Sequence, residues 1–408
     1  MRTNIYTHFF ASPLISAACL FNRSSLIAQT KRGIKPIAAE VAAILIAFLC
    51  VGIGTVAQAQ PYYAWTAAST TTTSVTTISN NTTVAIGTPP PVIGGVSTGE
   101  SVATDVAGNV YTTGSFTGTV DFNPSAGVFN LTSAGATDIF IQKLSPSGSF
   151  IWAVRMGGAD FDEGLGIAVD SRGNVYTTGY FSGNMNPWGW GSQSAGGSDI
   201  FTQKLDTNGN ILWVTTEGGP SNDVGNSIAV DAACNVYTTG YFGGTVTFSG
   251  VIITGTILPP PIMTTLTSTG GSDIFIQNLN ENGQHNWAKK MGGTDYDSGN
   301  CIAVDGLGNI YTTGYFSRTV NFGAGNVVSS GSTDIFVQKL NSSGTFVWAK
   351  KMGGTKDDIG YGITVDASDN VYTTGYFSGT VNFGAGNVVS SGGADIFVQK
   401  LNSSGTFV

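Results

Sequence analysis

The sequence predicts an all-β protein, a β-propeller of four-stranded antiparallel blades with about five repeat units in view. Three recurring features carry that prediction. An Asn just before a Tyr-Thr-Thr-Gly run falls at Asn109, Asn174, Asn235, Asn309 and Asn370. An Asp-Ile-Phe triplet begins at Asp138, Asp199, Asp273, Asp334 and Asp395, with spacings of 61, 74, 61 and 61 residues. A tryptophan follows the triplet's Asp by 14 residues, at Trp152, Trp213, Trp287 and Trp348. One insertion of 13 residues thus interrupts a fixed period. Residues 311–347 and 372–408 differ only at Arg318/Gly379, Ser332/Gly393 and Thr333/Ala394, which marks a recent internal duplication.

The unit at 299–354 shows the elements in order. Residues 302–305 form a first short strand, and Gly306-Leu307-Gly308-Asn309 turns the chain into a second at 310–316. A long Gly/Ser/Asn loop leads to a third strand at 334–340. Asn341-Ser342-Ser343-Gly344 then turns into a fourth at 346–351. Ile, Val, Tyr, Thr and Phe between Asn/Gly/Ser clusters favour hairpins, and no window carries a helical apolar period. The third strand is apolar on both faces, Ile335 and Val337 on one and Phe336 and Leu340 on the other, as a sheet between two neighbours requires. Lys350 and Lys351 on the fourth strand fit an outer edge that needs charge. The chain stops at Phe407-Val408, where a tryptophan is due next, so the sequence reads as ending within a strand and the native blade number stays open.

The run Asp-x-x-Gly-Asn-Val-Tyr-x-Thr-Gly-Tyr-Phe, followed by Asp-Ile-Phe-x-Gln-Lys-Leu-x-x-x-Gly-x-Phe-x-Trp, resembles the SBBP repeat of bacterial secreted and cell-surface proteins. The likeness spans roughly residues 99–408. It implies a propeller, seven-bladed by the family's label, and a secreted or surface location, at times within S-layer-like proteins. It supplies no catalytic residues.

Residues 1–59 read as a signal peptide. Lys31, Arg32 and Lys35 precede an apolar run, and Ala57-Gln58-Ala59 offers a small-x-small cleavage site; an uncleaved signal anchor is the rival. Residues 60–98 combine a Tyr63-Ala64-Trp65 segment, matching Phe346-Val347-Trp348 as a degenerate fourth strand, with a Thr/Ser/Pro-rich linker. The propeller repeats fill 99–408. Removing residues 1–59 takes five Lys/Arg and one acid from totals of 17 and 25, leaving 12 against 24. So acidic a chain is unsuited to nucleic acid or to an anionic membrane surface. Export permits disulfides, but Cys234 and Cys301 hold different repeat positions and read as separate small buried or turn cysteines.

Blade topology places the crossovers, and by the same argument the loops between strands two and three, on one face. The crossovers repeat an acid eight residues before the strand-ending Asp, at Asp162, Asp223, Asp297 and Asp358. These are weak calcium candidates; without a dense acidic loop they read as turn residues. Asp105, Asp170, Asp231, Asp305 and Asp366 read as tight-turn residues. In the second unit Asn186-Pro187-Trp188-Gly189-Trp190 replaces a glycine-rich loop. Trp188, Trp190 and Asn186 are therefore the candidate site for a glycan or a surface protein, against a reading of both rings as a satellite core. Downstream of residue 59 there is a single histidine, His285, and no phosphate loop, so neither a catalytic triad nor a cofactor is expected. The sequence thus favours an exported, non-catalytic binding or structural module. A polysaccharide hydrolase or lyase is the alternative, since paired acids could serve it.

Overall fold

The computed structural model describes residues 94–185, 192–250 and 262–408. The signal-peptide reading, the Tyr63–Trp65 segment and the loop with Asn186, Trp188 and Trp190 lie outside them. The described residues are all-β and contain no helix. Five antiparallel blade sheets follow in chain order, with two further two-stranded sheets in the loops of blades one and three. Blade one is Val96–Thr104, Val110–Thr117, Asp138–Leu144 and Phe150–Met156; blade two is Asp162–Val169, Val175–Met185, Ser192–Leu205 and Ile211–Glu217. Blade three is Val224–Val230, Val236–Phe242, Asp273–Leu279 and His285–Met291; blade four is Ser298–Val304, Ile310–Asn321, Asn326–Leu340 and Phe346–Met352. Blade five has three strands, Ile359–Val365, Val371–Asn382 and Asn387–Leu401, and Phe407 bridges to Leu401 where a fourth would begin.

The first strands pack side by side from blade to blade and form the inner wall. Each blade's back covers the next blade's front. Ile335, Val337 and Tyr311 of blade four, for instance, close on Ile363, Val371 and Phe397 of blade five. Among the described residues, no such packing joins blade five back to blade one.

Every first strand carries a bulge, between Gly99/Ser101, Gly164/Gly166, Gly225/Ser227, Gly299/Cys301 and Gly360/Gly362. The bulge pushes a carbonyl against the glycine of Tyr-Thr-Thr-Gly. A Cβ on Gly314 would lie 2.0 Å from the Ser298 carbonyl oxygen, so only glycine fits.

The strand-ending aspartates are turn residues, as expected. Asp305 Oδ1 accepts the N–H groups of Leu307 and Asn309, each at 2.9 Å; Oδ2 accepts Asn309 Nδ2 at 2.7 Å and the Tyr311 hydroxyl at 3.0 Å. The tryptophans lie between blades. Trp152 Nε1 donates to Thr207 O of blade two at 3.1 Å, and Trp213 Nε1 to Glu281 O of blade three at 3.0 Å. Trp213 is buried, whereas Trp152, Trp287 and Trp348 keep part of their surface in solvent.

Two structural reasons differ from those read in the sequence. Lys351 does more than guard an edge: its Nζ lies 3.2 Å from the buried Asp334, as Lys290 lies 2.8 Å from Asp273. Arg155 serves Asp138 in the same way, while blade two has Thr216 at this position, its hydroxyl 2.9 Å from that of Ser192. The loops between strands two and three also do not simply project from the crossover face. In blades one, four and five they form arms folded back over their own blade, so that Gln142, Gln338 and Gln399 donate to the carbonyls of Phe122, Phe322 and Phe383. The arm tips at Gly323 and Gly384 lie against Phe346 and Phe407, at the opposite end of the blade. Blades diverge from the axis, and the arms fill the widening wedge with Val320, Phe322 and their equivalents.

Cys234 is a buried free thiol in the first turn of blade three, and Cys301 is buried in the first strand of blade four.

Candidate functional site

The crossover aspartates come first, because they were the metal candidates. Each is buried, and each spends both oxygens on backbone N–H groups. Asp162 accepts Gly158 N at 2.7 Å and Ser182 N at 3.2 Å; Asp223 accepts Gly219 N and Gly243 N at 2.7 and 2.9 Å. Asp297 and Asp358 repeat the pattern with Gly293/Ser317 and Gly354/Ser378. They fasten a crossover to the base of the following arm. Burial pushes Asp162 up to about 7 and Asp223 and Asp297 up to about 6, against those hydrogen bonds. Among the described residues no three His, Cys, Asp or Glu side chains converge on one point.

What the crossover face does present is tyrosine. The residue after Tyr-Thr-Thr-Gly leaves the bulged glycine at the top of the second strand, giving Tyr180, Tyr241, Tyr315 and Tyr376, all half-buried; blade one has Ser115 there. Tyr361 adds a ring 5.8 Å from that of Tyr376. The Tyr180 hydroxyl donates to Glu163 Oε2 at 3.0 Å. Burial, with neighbouring acids and tyrosines adding to it, holds these hydroxyls above their usual range, so they stay protonated donors at neutral pH.

At blade four this arc opens into a cleft of ≈ 660 Å³, within the range of small-molecule sites. Its walls come from three elements: the crossover into blade four (Asp295, Tyr296), the base of that blade's arm (Ser317, Arg318 and 331–333), and the crossover into blade five with Asp357. Tyr315 and Tyr376 line it from the inner side. Arg318 Nε lies 2.9 Å from Asp295 Oδ2, and Thr333 Oγ1 donates to Asp357 Oδ1 at 3.3 Å. The charged groups lining the cleft are thus one cation and two carboxylates.

Sequence reasoning missed this site. The tyrosines sat inside the most regular run and read as strand residues, and Asp295 and Tyr376 are distant in the chain. One signal was available: the duplicated copies differ at Arg318, Ser332 and Thr333.

A second polar locus lies inside the blade two–three junction. Glu217 takes the place of Met156, Met291 and Met352, and His285 that of Phe150 and Phe346. Glu217 Oε1 accepts Gln277 Nε2 at 3.0 Å and its Oε2 accepts the Thr215 hydroxyl at 3.2 Å; His285 Nε2 lies 3.0 Å from Thr264 Oγ1. Burial raises Glu217 to about 7 and lowers His285 to about 4, so both lean to their neutral forms.

A family model agrees with the repeat architecture. A family model described as a β-propeller repeat, SBBP, matches residues 286–315 and 347–378. An uncharacterised WD repeat-containing protein of Acanthamoeba polyphaga mimivirus is 26% identical over 349 residues, covering 69% of this chain and 24% of the relative. The regulatory protein FlaEY of Caulobacter vibrioides is 24% identical over 322 residues, covering 72% and 33%. The chain therefore spans about a quarter to a third of the curated relatives it matches. Among solved structures, the WD40 domain of Neurospora crassa Pan2 is 9% identical with a TM-score of 0.32, covering 68% of this chain and 75% of that one.

Proposed function

Because the chain carries β-propeller repeats of the SBBP family, we propose that it is an exported, non-catalytic binding or structural module that engages a surface glycan or protein partner through its crossover face. The observation that carries the reading is the division of labour on that face. The recurring crossover acids are consumed by backbone hydrogen bonds, while half-buried tyrosines and one cleft are left presentable. Tyrosine offers a large rigid contact with a polar tip at little entropic cost, which suits recognition. Two relatives named as WD-repeat and regulatory proteins fit a scaffold role.

The test compares wild type with a Tyr315→Ala/Tyr376→Ala variant, its folding verified by circular dichroism, against arrayed glycans and purified surface proteins. Binding by wild type that the variant loses supports the reading, and equal binding by both removes the face assignment. Release of reducing ends or unsaturated sugars from any polysaccharide would establish the hydrolase or lyase alternative instead. Trp188 and Trp190, with Asn186, remain a proposed second contact. Stacking worth about 1 kcal/mol per ring predicts that a Trp188→Ala/Trp190→Ala variant binds any shared ligand roughly tenfold or more weakly.

A further inference from the structure

We propose that the cleft at blade four is a site for a neutral, hydroxyl-rich ligand, a short run of hexose units within a glycan, and that this blade was specialised for it after the duplication. The proposal rests on the crossover-face reading above and names the ligand class of that face.

Divergence is the first support. Residues 311–347 and 372–408 are identical except at three positions, and the blade-four residue at each, Arg318, Ser332 and Thr333, lines the cleft. Within these segments the core, the turns and the outer part of the arm are unchanged, and the differences fall on the arm base that forms the cleft wall. Blade five has Gly379, Gly393 and Ala394 there; Arg318 and Ser332 are polar side chains that blade four alone carries at those positions, while the hydroxyl of Thr333, shared in kind with Thr137, Ser198 and Ser272, is kept in blade four and absent from blade five.

The backbone at Arg318 is the second support. This arm-base position is left-handed in all five blades, with φ of 61° at Gly118, 62° at Gly183, 67° at Gly244 and 74° at Gly379. Four blades use the residue for which that conformation is free; blade four holds an arginine at φ 55°. Strain of this kind persists where the side chain is needed. The Arg318 guanidinium spans the cleft mouth to Asp295 and keeps further N–H donors for a ligand.

Chemistry sets the class. One arginine opposite Asp295, with Asp357 beyond it, leaves no excess of positive charge to hold a sulfated, phosphorylated or uronic ligand. Mixed donors and acceptors in one cleft match hydroxyls, which both donate and accept. Tyr296, 64% exposed at the rim, and Tyr315 within provide faces for sugar rings.

The experiment titrates the full chain with neutral hexose and N-acetylhexosamine oligosaccharides, with sulfated and uronic-acid oligosaccharides as controls. The key variant is Arg318→Gly/Ser332→Gly/Thr333→Ala, which installs the residues blade five already tolerates. Wild type is expected to bind at least one neutral oligosaccharide, and the triple variant at least tenfold more weakly at an unchanged melting temperature. Tyr296→Ala, a rim change outside the core, is expected to weaken it several-fold. Equal binding by wild type and triple variant overturns the proposal, as does preference for charged sugars or no neutral binding at millimolar concentration. If neutral sugars fail while Tyr315→Ala/Tyr376→Ala still abolishes binding of a surface protein, only the ligand class falls. Failure of both removes the crossover-face reading too.

Discussion

The glycine of Tyr-Thr-Thr-Gly decides where the tyrosines stand. At Gly314 the bulged first strand brings the Ser298 carbonyl to 2.0 Å from any Cβ, and the same approach recurs at Gly114, Gly179, Gly240 and Gly375. A methyl group there must undo the bulge or part the two strands. Gly314→Ala should cost about 1–3 kcal/mol or more in urea unfolding, and should disturb the cleft as well. Gly306→Ala is the control: its Cβ meets nothing within 4 Å, and a change within about 0.5 kcal/mol is expected. Similar costs at both positions would show that the bulge is soft. This requirement could be located in the sequence but not explained from it, since glycine in a strand marks some close approach without naming the atom.

At the scale of elements, burial sets which repeated residues matter. Trp213→Ala removes a ring only 4% exposed and should cost about 3–5 kcal/mol, while Trp348→Ala, on a partly exposed ring, should cost roughly 1–2 kcal/mol. Equal losses in thermal unfolding would contradict the difference in burial. Glu217 gives a pH signature. Its folded pKa, about 7, stands above the ordinary 4.5, so the fold prefers the neutral acid. That contribution is complete below about pH 4.5 and is lost as pH rises through about 7, a change of about 3 kcal/mol. His285 works oppositely: lowered to about 4 from 6.5, it favours the fold above pH 6.5 and is lost as pH falls through 4. Glu217→Gln keeps hydrogen-bonding groups and cannot ionise, so it should lose less stability than wild type between pH 5 and 8. An unchanged pH slope would mean that Glu217 is solvated in the folded state. Strand order, turn acids and tryptophans between blades were all legible, because they follow from local propensity and period. The folded arms were not: they answer to a wedge that exists only once blades stand side by side. The cleft was hidden likewise, since three separate elements meet in it.

Across the described residues the blades form a one-dimensional stack in which each buries its neighbour's face. Among the described residues, blade five breaks the series. Ile396 and Val398 are 59% and 54% exposed, although their counterparts Ile335 and Val337 are fully buried under blade five itself. The duplication turns this into a controlled comparison. Residues 311–347 and 372–408 are nearly the same peptide, so their unfolded amides exchange at nearly the same intrinsic rates, and any difference in the folded protein reports neighbours alone. Local opening of a strand covered on both faces must break two apolar interfaces, whereas blade five surrenders one. Amides of Val371–Asn382 and Asn387–Leu401 should therefore exchange at least tenfold faster than their equivalents in Ile310–Asn321 and Asn326–Leu340, a difference of about 1.4 kcal/mol or more. The contrast should be greatest in the strand bearing Ile396 and Val398, and should shrink toward the inner wall, where the first strand Ile359–Val365 keeps its contact with blade four. Hydrogen exchange read by mass spectrometry resolves this if overlapping peptides flank the three differing positions. Equal protection in the two copies would show that blade five's open face is covered in solution, and stability would then no longer track position in the stack.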